Sequence, residues 1–161
     1  MKRKRSFRRA QAGFSLTELL IVVAIIGILA AVAVPRLLET LRTGRESAAI
    51  QTLRTIHNGQ AQFQATKQRF ATLKELNEAN QLDLNYANGS PVSGYMYQSG
   101  PEVTQDKYCV QATRQASSTA SRDFNVIEDG AVRFVESKSP NPIPHGEGTP
   151  LAGAGSGTTT Q

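Results

Sequence analysis

The feature that most constrains this chain is a run of sixteen consecutive residues without a polar side chain, at positions 19–34. Extended back to Phe14, the apolar segment contains a single charged residue, Glu18. As an α-helix, this segment would extend about 31 Å, close to the thickness of one hydrocarbon core. It is therefore predicted to be a membrane-seeking helix, and the polar remainder of the 161-residue chain is long enough for one small domain.

Positive charge is concentrated ahead of the apolar segment. The chain has 18 Lys and Arg against 13 Asp and Glu, and six of the basic residues lie within positions 2–9. A basic block before an apolar span holds an N-terminus in the cytoplasm. From Phe14 onward acidic residues outnumber basic residues by one, so charge gives no support for a nucleic-acid-binding surface on the body.

After Pro35 the sequence changes from uniformly apolar to amphipathic. Apolar residues recur at helical spacing, and charged residues occupy most of the other faces. The apolar set is Leu37, Leu38, Leu41, Ala48, Ala49, Leu53, Ile56 and Phe63. We expect one helix over about 14–67, bent near Pro35, whose second half lies on the globular body.

The fold class predicted is α+β, with this long helix packed on a small antiparallel sheet of three or four strands. Alternating patterns predict strands at 95–98 and 107–113, after a short helix at 71–79. The strongest local pattern is a hairpin of 124–128 and 131–135. Its Asp-Gly pair at 129 and 130 is typical of a two-residue turn with positive φ angles.

The chain is accordingly divided into four segments. Residues 1–13 form a basic leader, 14–35 an apolar helix long enough to span a membrane, and 36–136 a globular domain. Residues 137–161 are rich in Pro, Gly, Ser and Thr and are predicted to be a flexible tail, because they bury too little apolar area to offset their ordering entropy.

Three interpretations compete for the first 35 residues. The small-x-small sequence at 31–33 is compatible with a secretory signal, but cleavage there would leave Pro35 as the second residue of the product and Glu18 unexplained. A plain membrane anchor for a periplasmic domain is the second interpretation.

The third interpretation rests on Gly13-Phe14-Ser15-Leu16-Thr17-Glu18 followed directly by the apolar run. This sequence resembles the class III signal of type IV prepilins and type II secretion pseudopilins. The resemblance implies that a membrane peptidase cuts after Gly13 and methylates the new amino group of Phe14. Such a cut removes the charged leader and keeps the apolar helix, whereas a secretory signal does the reverse.

Glu18 has two interpretations. An acid within a membrane segment is costly, so it is either tolerated at the membrane edge by the helix dipole or retained for a purpose. Resemblance to pilins implies the second: in a bundle of axially offset subunits, Glu18 would neutralise the amino group of Phe14 on a neighbour and so set the stagger.

Gly27 and Pro35 are the helix-weakening residues of the apolar segment. In one interpretation they belong to an ordinary kinked membrane helix, in which Gly27 allows close packing. In the other, which the resemblance implies, they are the ends of a stretch that partly unwinds in an assembled filament.

The resemblance implies a structural subunit of a type IV pilus that polymerises with itself and related minor pilins and serves adhesion, motility or DNA uptake. Its partners would be the prepilin peptidase, an inner-membrane platform and a cytoplasmic ATPase. The precursor would reside in the bacterial inner membrane and the product in an extracellular filament. A pseudopilin in a periplasmic pseudopilus and a membrane-anchored binding domain are the alternatives.

Nothing in the sequence predicts an enzyme, a cofactor or a catalytic residue. His57 and His145 lie outside any metal-ligand spacing and are expected at the surface. Major pseudopilins commonly bind calcium near the C-terminus, but the nearby acids Asp123, Glu128 and Asp129 do not predict such a site, so no metal is expected. The single cysteine, Cys109, excludes an intrachain disulfide and is predicted to be a small buried residue in a strand.

Overall fold

The computed structural model describes residues 13–151, which form two compact units divided between Glu39 and Thr40. Almost all of the predicted leader, residues 1–12, and the last part of the predicted tail, residues 152–161, lie outside the described residues.

One long helix, α1, spans Leu16–Lys67 and continues through Pro35. The predicted long helix is thus confirmed, beginning two residues later than expected. In the second unit, α1 buries one face at helical spacing, through Ala49, Leu53, Ile56 and Phe63 among others. Burial of the predicted amphipathic stripe begins further along the chain than expected. Its first three members, Leu37, Leu38 and Leu41, are 58%, 53% and 47% exposed.

Two short helices follow α1. Helix α2, Leu73–Glu78, lies within the predicted short helix and begins with a capping box, in which the Thr72 side chain accepts from the backbone N–H of Glu75 while Glu75 accepts from that of Thr72. Helix α3, Leu84–Ala87, is capped by Asp83. Buried Gln60 of α1 holds the segment before α2, since its Oε1 accepts from the backbone N–H of Ala71 at 2.9 Å.

The sheet has five antiparallel strands in the order β1-β2-β3-β4-β5. The strands are β1 Tyr95–Ser99, β2 Cys109–Arg114, β3 Arg122–Ile127, β4 Val132–Glu136 and β5 Thr149–Pro150. The α+β class is confirmed. Three or four strands were predicted, and the additional short strand β5 lies in the segment expected to be a flexible tail.

One core joins α1 to the sheet. Leu53 and Ile56 of α1 are inaccessible to solvent, as are Tyr95 and Phe124 of the sheet, and all belong to one apolar cluster. Residues of β2 and β3 directly opposite each other, such as Ala112 and Phe124, contribute to it together, as antiparallel pairing requires.

The hairpin between β3 and β4 is present, but its predicted two-residue turn is wrong. Four residues, 128–131, connect the strands, and the N–H of Gly130 donates to the carbonyl of Ile127 at 3.0 Å. Gly130 has φ +73°, whereas Asp129 does not have a positive φ. Asp129 instead accepts from the N–H of Ala131 through its side chain at 2.9 Å, a local bond that favours the longer turn.

Residues 137–151, which we call the C-terminal strap, differ from the flexible tail that their composition predicts. Ile143 is 3% exposed, Leu151 packs against the core cluster, and β5 pairs with β4. Composition accounts for the scarcity of apolar anchors here, but not for the hydrogen bonds that the sheet supplies.

Candidate assembly site

The predicted cleavage point lies just before α1. Phe14 is 82% exposed, and an added side chain at Gly13 would meet nothing within 4 Å. Both residues lie outside regular secondary structure. The bond between them is therefore not covered by any of the described residues, and its cleavage and the methylation of Phe14 stay predictions.

Glu18 lies in the first turn of α1 and is exposed. The partial positive charge of a helix N-terminus stabilises a carboxylate at this position. The turn is closed by the N–H of Leu19, which donates to the carbonyl of Ser15 at 3.2 Å. This placement is compatible with both interpretations of Glu18, and its pairing with a neighbour's Phe14 stays a prediction.

The N-terminal unit exposes an extended apolar surface. Within the described residues, α1 is the one helix long and apolar enough to cross a membrane. More than half of the area of most of its large apolar side chains is exposed, including Leu19, Leu20, Ile21, Val23, Ile25, Ile26, Ile28, Leu29, Val32 and Val34. A contiguous surface of this size is covered in nature by lipid or by protein.

Gly27 and Pro35 both lie inside α1, and the helix is continuous through them. An added side chain at Gly27 would meet nothing within 4 Å among residues 13–151, so no contact with these residues requires glycine there. The unwinding that the family resemblance implies concerns the assembled state and stays a prediction.

Three charged residues of α1 bind the connection between β2 and β3. Arg42 donates to the carbonyl of Ser118 at 3.2 Å, and Arg45 to that of Thr119 at 3.3 Å. Glu46 is 5% exposed. It accepts from the N–H of Ser121 at 2.9 Å and from Nε of Arg122 at 2.8 Å. We call these residues the loop clamp; periodicity had placed them on the solvent faces of the helix.

A buried ion pair joins the ends of β2 and β3. The side chains of Arg114 and Asp123 are 0% and 1% exposed, and Nη1 donates to Oδ2 at 3.0 Å. Asp123 also accepts from the N–H of Arg114 at 2.8 Å and from that of Asn141 at 3.1 Å. Arg114 donates through Nη2 to the carbonyl of Ser137 at 2.6 Å. The pair therefore holds the first part of the strap as well as the two strands.

Two amide side chains hold the middle of the strap. Gln111 donates to the carbonyl of Ile143 at 2.9 Å, and Asn125 donates to that of Pro144 at 2.9 Å. Sequence reasoning missed these residues and Arg114, because a polar residue alternating with apolar ones is ordinarily the solvent side of a strand. No local pattern indicates which distant carbonyl such a side chain will meet.

The acids considered for calcium are engaged in separate ion pairs. Asp123 binds Arg114, Asp129 binds Arg133, and Glu128 binds His145. Across residues 13–151 no group of three or more His, Cys, Asp or Glu side chains could hold a metal ion. His145 is exposed, as expected.

His57 is half-buried rather than at the surface. Its Nδ1 is 2.7 Å from the hydroxyl of Tyr108, and its ring lies against Gly130. Burial raises the pKa of the Tyr108 hydroxyl well above its usual range, so the phenol stays neutral in this contact. These contacts connect α1 to the residue directly before β2 and to the hairpin turn.

Cys109 is buried in β2, as predicted, and is a free thiol. Burial raises the pKa of Cys109 to about 11, so the group is protonated at neutral pH. Its Sγ is 4.0 Å from the carbonyl of Ile143, which places it beneath the strap.

Comparison with known proteins identifies the motif and the family. Residues 8–34 match the family model described as the prokaryotic N-terminal methylation motif. A fimbrial protein of Pseudomonas aeruginosa is 33% identical over 133 residues, which cover 81% of this chain and 82% of that protein. The chain belongs to the type IV pilin and pseudopilin family.

A second relative within this family is the type IV major pilin protein PilA of Myxococcus xanthus, 40% identical over 65 residues. That match covers 40% of this chain and 30% of the longer relative. The pilin family assignment therefore rests on the fimbrial protein, whose match covers most of the chain, while the family model identifies the N-terminal motif. The proteins that match are named for pilins and fimbriae, which agrees with a chain that is not an enzyme.

Proposed function

We propose that this chain is a structural subunit of a type IV pilus. The peptidase cuts between Gly13 and Phe14, the new amino group is methylated, and α1 polymerises into the filament core. The exposed apolar surface of 13–39 supports this proposal most directly, because a surface of that kind requires lipid before assembly and protein afterwards.

Within the filament, Glu18 of one subunit neutralises the amino group of Phe14 on its neighbour. The position of Glu18 supports this role. Its carboxylate lies about one helical turn from the proposed terminus, and its exposure leaves it accessible to a neighbouring subunit. In an apolar bundle an unpaired charge is strongly disfavoured, so the pair fixes the axial stagger. Partial unwinding between Gly27 and Pro35 then lets the filament lengthen under load.

The partners and locations follow from this role. The precursor resides in the bacterial inner membrane, where the peptidase and an assembly platform act on it and a cytoplasmic ATPase drives assembly. The product is an extracellular filament of this subunit with related minor pilins, used for adhesion, motility or DNA uptake. Relatives named as a major pilin and a fimbrial protein support a pilus over a secretion pseudopilus.

The acidic residues near the C-terminus also support a pilus. Each of them forms a separate ion pair, so Asp123, Glu128 and Asp129 are not free to form a shared calcium site.

The deciding experiment is electron microscopy of filaments sheared from the surface of the native cell, combined with intact-mass measurement of the subunit. We expect surface filaments built of this chain, and a subunit mass that corresponds to a chain beginning at methylated Phe14. Processed chain confined to the cell envelope, without surface filaments, would contradict the pilus and favour the pseudopilin.

A further inference from the structure

The C-terminal strap is attached to the sheet mainly through polar contacts. It is exposed at most positions and has two apolar anchors, Ile143 and the partly buried Leu151. The other described attachments are polar: bonds to side chains of β2 and β3, one bond from Ser117 to the carbonyl of Lys138, the ion pair of His145 with Glu128, and backbone bonds to β4, which include the two-residue pairing of β5. A segment with few buried apolar contacts and exposed backbone bonds has low local stability.

Packing beneath the strap is also incomplete. A pocket of about 280 Å³, partly open to solvent, lies between the strap and β2, lined by Pro142, Pro144 and His145 on one side and by Cys109 and Gln111 on the other, with Pro101 and Glu102 also lining it. The Oδ1 of Asn125 is buried without a hydrogen-bond partner among the described residues. Both features weaken the closed state relative to a close-packed interface.

The core on the helix side of the sheet shows the opposite character. Leu53, Ile56, Phe124 and Val126 are inaccessible to solvent and contribute to a single apolar cluster. The strap residue Ile143 is buried but is not a member of that cluster. Removing the strap therefore leaves most of the apolar packing between α1 and the sheet in place.

We propose that the strap is a detachable cover, which opens as a unit from its start at Ser137 while α1 and strands β1 to β4 stay folded. Opening breaks the bonds of Arg114 and Asp123 to the start of the strap and those of Gln111 and Asn125 to its middle, and it separates β5 from β4. It exposes the Cys109 thiol and leaves β4 as an unpaired sheet edge. This inference goes beyond the filament role and does not depend on it.

Cys109 is the only cysteine of the chain, so it reports the opening without any added label site. We would react the full-length protein in detergent with a disulfide reagent that releases a coloured thiolate, over a series of urea concentrations, and record global unfolding by circular dichroism in parallel. The slope with urea measures the surface exposed in each event. We expect labelling to proceed through an opening whose slope is less than half that of global unfolding.

Variants separate local from global opening. Ile143→Ala removes the main apolar anchor and should speed labelling at least about tenfold. Gln111→Ala removes one bond to the strap and provides the same test if Ile143→Ala does not fold. Ile56→Val weakens the core on the helix side and is the matched control, for which we expect an unchanged labelling rate.

Two results would overturn the proposal. One is a labelling slope equal to that of global unfolding in the wild-type protein. The other is faster labelling of Ile56→Val, by about two- to tenfold, in parallel with its loss of global stability. Either result means that Cys109 is reached only when the whole globular unit unfolds.

Discussion

Arg114 and Asp123 form a buried ion pair whose hydrogen bonds also reach the C-terminal strap. Replacing one partner of a buried ion pair leaves the other charge uncompensated, which costs about 3–5 kcal/mol in the free energy of unfolding. We therefore expect Asp123→Ala to reduce the free energy of unfolding by about this amount in urea melts of the full-length chain in detergent.

The exposed pair of Arg133 and Asp129 is the matched control for this measurement. The side chains of Arg133 and Asp129 are 16% and 44% exposed, so this pair is much less buried than that of Arg114 and Asp123, and Arg133→Gln should cost about 1 kcal/mol. Similar losses for Asp123→Ala and Arg133→Gln would contradict a structural role for the buried pair.

Gly130 is required for two separable reasons. Its φ of +73° disfavours any side chain, and an added Cβ would lie 2.7 Å from Nε2 of His57. Gly89 has a similar φ, +67°, with open space around it. Gly89→Ala should cost about 1 kcal/mol and Gly130→Ala about 2–3 kcal/mol in thermal or urea melts.

Replacing His57 tests the contact part of that difference. In a His57→Ala background, where the crowded ring is gone, Gly130→Ala should cost no more than Gly89→Ala. If Gly130→Ala still lowers the free energy of unfolding by more than Gly89→Ala in that background, backbone conformation alone would explain why glycine is required at position 130.

The capping box of α2 should make stability depend on pH. The hydrogen bond from Arg69, with the backbone bond at Thr72, lowers the pKa of Glu75 to about 2 from 4.5. A lowered folded-state pKa means that the stabilisation is present above the unfolded pKa and is lost as pH falls through the folded one. Between about pH 5 and pH 2, the wild type should lose about 1 kcal/mol more than Glu75→Gln.

The reference for this titration is Glu78→Gln, which alters a carboxylate of the same helix outside the capping box. Urea midpoints measured across the pH range should show the wild-type slope in Glu78→Gln. A Glu75→Gln profile parallel to that of the wild type would exclude the assigned coupling.

Glu18→Ala should block assembly without blocking insertion or cleavage. Removing a charge from an apolar span favours insertion, and the cleaved bond at Gly13 lies outside the helix. In the filament core, an unpaired amino group at Phe14 would cost about 3–5 kcal/mol per subunit. We expect processed, membrane-bound subunit with few filaments, scored by immunoblot of sheared and membrane fractions.

Glu18→Gln should be milder, because the amide still accepts a hydrogen bond, and co-expression with the wild type should partly restore incorporation. Normal filament yield in both variants would leave Glu18 as a carboxylate tolerated at the membrane edge.

Deletion of residues 1–36 should yield a soluble, folded monomer. The deleted part contains most of the exposed apolar surface, whereas the core cluster begins at Ala49. Gel filtration and the cooperativity of a urea melt measure this outcome. Aggregation, or a broad non-cooperative transition, would mean that the helix before Ala49 is needed for folding.

Features encoded locally could be predicted from the sequence. The apolar run and its amphipathic continuation predicted α1, because side-chain periodicity follows directly from helix geometry. The hairpin of β3 and β4 was predicted from alternation around Asp129 and Gly130, although four residues rather than two connect the strands. Cys109 was correctly placed in a strand and buried.

The features that were not predicted depend on partners distant along the chain. Asn125 binds a carbonyl 19 residues away, and Glu46 binds Arg122 across 76 residues. Such side chains have the same local pattern as solvated ones, so their burial is decided by tertiary contacts. The strap was missed for this reason, since its order is supplied by β2 and β3.

The loop clamp bears on how the globular unit responds to mechanical force. The bonds of Arg42, Arg45 and Glu46 to the connection between β2 and β3 lie ahead of Ala49, the first core residue of α1, so we expect tension entering along α1 to load these bonds before the apolar core. Forced unfolding is governed by the rate at which the loaded bonds yield rather than by equilibrium stability. A subunit of modest thermodynamic stability can thus withstand pulling, provided that these few polar bonds release slowly.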